Sequence, residues 1–293
     1  MRLAFLGSPA AALPTLRALL DAGHDVALVV SGPDRRRGRG GASSPTPVKA
    51  MALDLGLRVT DDLDEVMGAG VELGVVVAYG RIIPMRILER VPMLNVHFSL
   101  LPRWRGAAPV ERAILAGDDR TGVCVMEVAE GLDAGAVRAA VETAIGDETT
   151  AAELTDRLAV LGSELLVEVL AAGPVDGVAQ SDDGVTYAHK ISTADRRLDW
   201  SLPASQLHRV VRIGGAWTDF RGARLKVLAA RPHPGAHAEP AGVLRGTTVG
   251  CGDGTVLELL RVQPEGKASM DASDWVNGAR PDGEVLGDAG DRG

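Results

Sequence analysis

The sequence predicts an α/β protein: an N-terminal, Rossmann-like, mostly parallel sheet with helices on both faces, followed by a small C-terminal β-barrel domain. Three observations predict this fold class. Apolar strand-like runs alternate with amphipathic helical stretches through the first half of the chain. These runs are apolar throughout, which is typical of parallel strands that are covered on both faces. From Trp217 onward the pattern changes to short β runs separated by Gly-rich turns, which favours a small barrel.

The first predicted element is an apolar strand, Leu3–Leu6, that ends in a tight turn. The strand ends at Gly7-Ser8-Pro9, and then an amphipathic stretch runs to Leu20 and is stopped by Gly23. Because the turn lacks the GxGxxG spacing of a dinucleotide site, we interpret it as a strand-to-helix turn with Pro9 near the helix start. The next predicted elements are strands at Val26–Val30, Leu57–Thr60, Leu73–Ala78 and Leu94–His97, and helices at Val48–Leu55 and Pro84–Leu88.

The second half is predicted to hold a strand pair, a long helix and a separate β domain. Its elements are a helix at Pro109–Ala116, antiparallel strands at Gly122–Val128 and Val137–Thr143, a helix at Thr149–Ala171, and β runs at Leu225–Ala230, Gly242–Arg245, Thr248–Cys251 and Val256–Val262. We therefore expect a first domain at 1–181, a polar linker at 182–203, a β-barrel domain at 204–280 and a flexible tail at 281–293.

Composition limits the kinds of protein that the chain can be. Its 293 residues are 46% hydrophobic and carry a net charge of −8, so we expect two packed domains and only local basic surfaces for any nucleic acid. Cys124 and Cys251 lie far apart in apolar surroundings, which indicates two reduced, buried thiols and no metal site. Met1 is followed at once by a strand pattern, and no apolar run approaches the ~20 residues of a membrane span. We expect a cytoplasmic protein with no membrane partner and no obligate protein partner.

The candidate chemistry begins with Asn95 and His97. The two residues are two positions apart on a predicted strand, so their side chains share one side, ~7 Å apart. An amide and an imidazole there can both donate to one carbonyl oxygen, as in an oxyanion hole, although a polar strand end with a satisfied histidine fits the pair as well. The next four residues, Ser99, Leu100, Leu101 and Pro102, form a partly apolar loop that suits the flat ring of an organic cofactor.

These residues belong to a larger pattern. Asn95-Val-His97, Ser99-Leu-Leu-Pro102, the Arg-Gly-Ala-Ala-Pro segment ending at Pro109, and Gly131-Leu-Asp-Ala-Gly135 together resemble the signature of the folate-dependent formyltransferases. The resemblance implies that Asn95 and His97 polarise the formyl oxygen of 10-formyltetrahydrofolate and stabilise the oxyanion. It implies that Asp133 orients His97 and helps to move the proton of the attacking amine. Taken alone, Asp133 would be read as a turn residue between two glycines.

The loop Gly32–Pro47 predicts which amine is formylated. It carries four arginines in five residues, Arg35, Arg36, Arg37 and Arg39, among glycines that let the backbone adapt to an RNA phosphate. A charge run of this kind is otherwise an ordinary flexible basic loop. The loop resembles the one that, in the methionyl-tRNA formyltransferase group of the family, enters the tRNA acceptor arm, and Arg39 matches its tRNA-contacting arginine. This resemblance implies that methionyl initiator tRNA is the partner.

The resemblance to that group covers about residues 1–280, and it implies that the C-terminal domain at 204–280 is an OB-like barrel that contacts tRNA. Further matching segments are Val76–Gly80, Tyr187–Ile191, Asp199-Trp200 and Gln263–Lys267. The chain departs from the pattern at Phe98, where a small residue is expected, at Ala10 and Ala11, and at Ala134, where Thr is more usual. Two rival functions remain: an amino-sugar N-formyltransferase with the same core and the same folate donor, and a non-catalytic RNA-binding module. The first does not need the arginine loop, and the second leaves Asn95, His97 and Asp133 unexplained.

Overall fold

The computed structural model describes residues 1–36, 43–173, 176–234 and 239–287, and for residues 35 and 36 it describes the backbone alone. Within it the chain divides into two compact units. The first comprises Met1–Arg112, Asp119–Ile145 and Glu153–Lys190, and the second comprises Ala113–Asp118, Gly146–Ala152 and Ile191–Gly293. None of the described helices is long and apolar enough to cross a membrane.

The first unit is built on a seven-stranded sheet. Its strands, with two small two-stranded ladders, are β1 (Arg2–Gly7), β2 (Asp25–Val30), β3 (Arg35–Arg36), β4 (Ser43–Ser44), β5 (Val59–Thr60), β6 (Leu73–Val77), β7 (Met93–His97), β8 (Arg105–Gly106), β9 (Arg120–Glu127), β10 (Val137–Ala144) and β11 (Tyr187–Ala188). The helices that connect them are α1 (Leu13–Asp21), α2 (Pro47–Asp54), α3 (Met85–Leu88), α4 (Pro109–Ala116) and α5 (Ala151–Ala172). Residues 113–116 of α4 and 151–152 of α5 fall in the second unit. Short 3-10 helices lie at Ala10–Ala12 and Leu63–Gly68.

The order of the large sheet is β10-β9-β7-β6-β1-β2-β5. Strands β7, β6, β1, β2 and β5 pair in parallel, whereas β9 pairs antiparallel with both β7 and β10. Every residue of β6 is buried, as expected for a parallel strand that is covered on both faces. The predicted fold class of this half, and the predicted antiparallel strand pair at its edge, are confirmed.

The second unit is an antiparallel β structure with two helices. Its elements are α6 (Ala204–Arg212), β12 (Trp217–Phe220), β13 (Ala223–His233), β14 (Leu244–Arg245), β15 (Thr248–Gly250), β16 (Val256–Pro264), β17 (Met270–Asp271) and α7 (Ala272–Ala279), with a 3-10 helix at Ala194–Arg196. The strand order is β12-β13-β16-β15-β14, with β17 on β16. The core of this unit includes Trp200, Leu207, Val227 and Trp275. Among the described residues this sheet is open, because no ladder joins β14 back to β12.

The predicted domain boundaries stay a prediction, but two predicted segments take part in packing. Residues 187–188 of the predicted linker form β11, which pairs in parallel with β8 inside the first unit. In the predicted tail, Val285 bridges to Val243, and Leu286 is 2% exposed in the core of the second unit. Residues 288–293 of the predicted tail lie outside the described residues.

Candidate functional site

Strand β7 carries Asn95 and His97 to the edge of the parallel part of the large sheet. Their backbones pair with Met126 and Cys124 of the antiparallel strand β9. Asn95 is half-buried and His97 is 6% exposed, while Val96 between them is buried on the opposite face. The alternation predicted from the sequence therefore places the amide and the imidazole on one side of the sheet, at the carboxyl end of a parallel strand. Ligands characteristically bind at this end of open α/β sheets.

Asp133 reaches the same place from the loop that joins β9 to β10. The Asn95 side-chain amide donates to Asp133 Oδ1 at 3.4 Å, and the Gly106 N–H donates to Oδ2 at 2.8 Å. The His97 Nδ1 atom lies 3.6 Å from Oδ2. The structure thus brings together the three residues that the sequence singled out, with the Asp133 carboxylate beside both of the others.

The second ring nitrogen of His97 has a main-chain partner. His97 Nε2 lies 3.0 Å from the carbonyl oxygen of Trp104. A carbonyl oxygen can only accept a hydrogen bond, so Nε2 carries a proton in this contact. A neutral ring then presents the bare Nδ1 to the Asp133 carboxylate, whereas a protonated ring offers an N–H to each partner. The imidazole is therefore held between a carbonyl oxygen and a carboxylate, and these two partners determine the orientation of the ring.

The backbone geometry at the site depends on two glycines. Any other residue at either position would force the neighbouring main chain to move. Gly106 has φ +124°, and a Cβ atom there would lie 2.8 Å from the carbonyl oxygen of Ala188. A Cβ atom on Gly135 would lie 1.9 Å from the carbonyl oxygen of Glu127. Both distances are shorter than real Cβ contacts, so the close approach of β8 to β11, and of the Asp133 loop to β9, requires glycine.

The loop Ser99–Pro102 follows β7 directly. Ser99 is 1% exposed, and its hydroxyl donates to the carbonyl oxygen of Arg103 at 2.6 Å, which closes the loop on itself. The Leu101 N–H donates to Cys124 Sγ at 3.4 Å, and Leu100, Leu101 and Pro102 are half-buried. Apolar side chains therefore stay partly accessible beside the Asn95–His97 pair. Burial raises the pKa of the Cys124 thiol, so this neighbour of His97 stays protonated and is a poor nucleophile.

Only the base of the arginine loop is described. Arg35 and Arg36 form β3, whose backbone pairs antiparallel with Ser44 and Ser43, and their side chains are not described. Arg37 and Arg39 lie outside the described residues. After β4 the chain enters α2 through a Thr46 N-cap that accepts from the Lys49 N–H at 3.1 Å. The loop thus starts and ends on a short β ladder next to a capped helix.

Two residues that the sequence did not single out hold the main chain of the site. The Gln180 side chain donates to the carbonyl oxygens of Asp133 and Gly135, each at 2.8 Å. The Thr186 hydroxyl accepts from the Trp104 N–H at 2.9 Å, which places the carbonyl that contacts His97. Thr186 precedes the Tyr187–Ile191 segment used in the resemblance, which was a usable signal. Nothing in the sequence distinguishes Gln180.

Phe98 and Ala134, two of the departures from the family pattern, have different surroundings. Phe98 is 9% exposed, and its ring lies near Gly162 of α5, where an added Cβ would be 3.8 Å from it. Phe98 therefore packs against the long helix, on the same strand face as Val96. Ala134 is exposed in the Asp133 loop.

Solved structures with a similar fold include two formyl-transfer or folate complexes. The N-formyltransferase from Helicobacter canadensis, in complex with folinic acid and dTDP-3-aminofucose, superposes with a TM-score of 0.69 at 15% identity, covering 89% of this chain and 98% of that chain. HypX from Aquifex aeolicus, in complex with tetrahydrofolic acid, gives a TM-score of 0.65 at 18% identity and covers 94% of this chain. This chain spans about half of HypX, 47% of that chain. At these identities the likeness concerns the fold.

Family models and curated relatives match at the level of sequence. The model described as "Formyl transferase" matches residues 1–170, and the model described as "Formyl transferase, C-terminal domain" matches residues 190–280. The methionyl-tRNA formyltransferase of Jannaschia sp. (strain CCS1) is 45% identical over 295 residues, or 96% of this chain and 97% of the relative. That of Paracoccus denitrificans (strain Pd 1222) is 45% identical, over 96% of this chain and 99% of the relative. The chain therefore belongs to the formyl transferase family, in its group of methionyl-tRNA formyltransferases.

Proposed function

We propose that this enzyme transfers the formyl group of 10-formyltetrahydrofolate to the α-amino group of methionyl initiator tRNA for translation initiation. The observation that carries the proposal is the convergence of Asn95 and His97 on the Asp133 carboxylate at the carboxyl end of β7. Relatives at 44–45% identity that match nearly the whole chain are named methionyl-tRNA formyltransferases, which favours this substrate over an amino sugar. Because the proposed substrate is a charged initiator tRNA, we propose that the enzyme acts in the cytoplasm.

The three polar side chains have complementary parts in such a reaction. When the amine nitrogen bonds to the formyl carbon, the carbonyl oxygen gains negative charge and the nitrogen must lose a proton. The Asn95 amide can donate to that oxygen, and the His97 Nε2–H can share its hydrogen bond between the Trp104 carbonyl and that oxygen. Together they stabilise the charge as an oxyanion hole does. The Asp133 carboxylate, 3.6 Å from His97 Nδ1, orients the ring and can receive the proton of the amine directly or through a water.

Completion of the transfer needs a second proton movement. The bond from the formyl carbon to the folate nitrogen breaks as the carbonyl re-forms, and that nitrogen gains a proton. The amine loses one proton overall, so no net acid or base is consumed. An Asp133–His97 pair that takes a proton from one nitrogen and returns one to the other satisfies this balance.

The folate donor is proposed to lie against the loop that follows β7. Ser99, Leu100, Leu101 and Pro102 supply a closed turn with half-buried apolar side chains directly beside His97. A flat pteridine ring suits an apolar wall with few polar contacts. The HypX structure named for its tetrahydrofolic acid complex has the same fold, which supports a reduced folate as the donor.

The tRNA is proposed to be held in part by Arg35, Arg36, Arg37 and Arg39. Four arginines within five residues, beginning in β3, suit contact with a phosphate backbone. Arg39→Ala should raise the KM for tRNA and make it less sensitive to salt, while the KM for the folate stays nearly the same. An unchanged tRNA KM would remove Arg39 from the proposed interface.

The decisive experiment incubates the protein with methionyl initiator tRNA and 10-formyltetrahydrofolate and then measures the mass of the released amino acid. Formylmethionine is the expected product. His97→Ala and Asp133→Ala should lose most of the turnover while the far-UV circular dichroism spectrum stays the same. Formylation of a small amino sugar but not of the charged tRNA would overturn the proposed substrate. A fully active Asp133→Ala variant would overturn the proposed role of the carboxylate.

A further inference from the structure

Gln180 makes four hydrogen bonds through one side-chain amide, two to the Asp133 loop and two to Arg105. Its Nε2 atom donates to the carbonyl oxygens of Asp133 and Gly135, each at 2.8 Å. Its Oε1 atom accepts from Arg105 Nε at 3.0 Å and from Arg105 Nη2 at 2.7 Å. Both donors and both acceptor positions of the amide are therefore used, and its orientation is determined by its partners.

The tip of the loop that Gln180 holds is exposed and has a left-handed backbone. Asp133 has φ +46°, a left-handed conformation that costs a residue with a Cβ about 1 kcal/mol. Its neighbours Leu132 and Ala134 are exposed, with Leu132 61% exposed, so burial does not anchor the turn. The two bonds from Gln180 reach the carbonyl of Asp133 itself and that of Gly135 two residues later. These two bonds fix the backbone of the turn at Asp133, the residue whose carboxylate contacts His97 and Asn95.

Arg105 links Gln180 to the other support of the carboxylate. The guanidinium of Arg105 holds Gln180, and the next residue, Gly106, donates its N–H to Asp133 Oδ2 at 2.8 Å. The main chain of Asp133 is thus held through Gln180, and its side chain through Gly106, from two successive residues of β8. A closed ring of hydrogen bonds determines where the carboxylate lies relative to His97.

We propose that Gln180 is a positioning residue: by fixing the backbone of Asp133, it aims the carboxylate at His97 and Asn95 for formyl transfer. The inference deepens the proposed function and rests on it. Gln180 contacts neither His97 nor Asn95 in any described hydrogen bond, so its effect on the reaction passes through Asp133. Loss of the hydrogen bonds from Gln180 therefore moves the Asp133 carboxylate but does not remove it.

The test compares three variants of the full-length protein in the formylation assay. Gln180→Leu removes all four bonds. Gln180→Glu keeps an acceptor for Arg105 but has no donor for the two carbonyl oxygens, so it isolates the bonds to the Asp133 loop. Gln263→Leu is the matched control, since Gln263 is also half-buried and its Nε2 donates to the carbonyl oxygen of Lys267 at 3.0 Å in the second unit.

Both Gln180 variants should lower kcat by roughly 10- to 100-fold, as expected when a reacting group shifts by about an ångström, while the KM values for tRNA and folate change little. Gln263→Leu should keep the unmodified kcat. Thermal unfolding of each variant separates a loss of fold from a loss of rate. A Gln180→Glu enzyme with the kcat of the control would overturn the proposal.

A double-mutant cycle with Asp133→Asn distinguishes positioning from a general structural role. If Gln180 acts through Asp133, Gln180→Leu should cost almost nothing further in the Asp133→Asn background. An equal fold-loss in both backgrounds would contradict it. If the unmodified protein does not formylate tRNA at all, the proposed function fails on its own. The positioning is then read from the NMR chemical shifts of the His97 ring protons, which Gln180→Leu should change and Gln263→Leu should not. Unchanged chemical shifts in the Gln180→Leu protein would overturn the proposal.

Discussion

Gly106→Ala tests the geometry of the site without removing any polar side chain. The substitution adds a single methyl group, 2.8 Å from the carbonyl oxygen of Ala188, at a residue with φ +124°. That φ lies beyond the narrow left-handed region that residues other than glycine tolerate. Either β8 moves away from β11 or the backbone of residue 106 rotates. Both movements take the residue 106 N–H away from Asp133 Oδ2, which it now meets at 2.8 Å.

The size of the effect follows from three contributions. Backbone strain at a conformation reserved for glycine costs about 1–3 kcal/mol. Crowding a packed contact by one methyl group costs about 1–3 kcal/mol. Loss of an N–H bond to a charged acceptor costs about 1.5–3 kcal/mol, although relaxation of the strand exchanges some of these costs for others. We expect a net loss of about 3 kcal/mol in unfolding free energy, and a melting temperature lower by about 6–12 °C at about 2–4 °C per kcal/mol.

Gly184→Ala is the matched control. Gly184 also has a positive φ, +80°, but nothing lies within 4 Å of an added Cβ. It should therefore cost about 1 kcal/mol from the left-handed conformation alone and leave turnover unchanged. The assays are thermal unfolding and the kcat for formylation, for which Gly106→Ala should fall at least about tenfold, or 1.4 kcal/mol. The reasoning is refuted if the Gly106→Ala and Gly184→Ala proteins match in both stability and kcat.

Three further outcomes follow from buried groups. Cys124 and Cys251 should react with a thiol reagent only after denaturation, because burial raises the pKa of both thiols, that of Cys251 to about 11; rapid labelling of the native protein would contradict this. Burial lowers the pKa of His208 from 6.5, so the unfolded chain binds a proton that the folded chain lacks; its stabilising contribution is complete above pH 6.5 and is lost as the pH falls below that value. Urea unfolding of His208→Gln should therefore depend less on pH in the acid range, and an identical pH profile would be evidence against it. Phe98→Ala should lower the unfolding free energy by about 3–5 kcal/mol and leave the KM for folate unchanged, since the ring is buried against α5; a stable variant with a raised folate KM would place the ring at the folate site instead.

Much of the fold could be predicted because its causes are local. Apolar runs such as Leu73–Ala78, rich in β-branched residues, favour strands that are covered on both faces, and β6 is buried at every residue. Because side chains alternate between the two faces of a strand, the spacing of Asn95 and His97 is enough to predict that they share one side of the sheet. Asp133 was found by resemblance to a family signature, because its own surroundings in the sequence describe only a turn between glycines.

The remainder of the site could not be predicted, because it depends on pairings between distant segments. Gln180 and Asp133 are 47 residues apart, and a lone Gln in a polar stretch has no periodicity that would mark it. Thr186 lies in a segment predicted as a linker, since the two-residue strand β11 is too short to show an alternating pattern. Barrel closure has the same difficulty. Short β runs predict strands, but whether the first and last strands pair depends on twist and stagger that the runs do not encode.

The contact between His97 and the carbonyl of Trp104 has a consequence for how the site can vary. No substitution at position 104 deletes a main-chain carbonyl, so the imidazole keeps its acceptor whichever side chain stands there, provided that the backbone keeps φ +63°. Saturation mutagenesis should therefore rank residues at 104 by how easily they adopt that angle, with Gly and Asn tolerated and Val or Ile rejected. The orientation of the His97 ring therefore depends on the backbone at residue 104. The side chain at this position can change while the ring keeps its orientation.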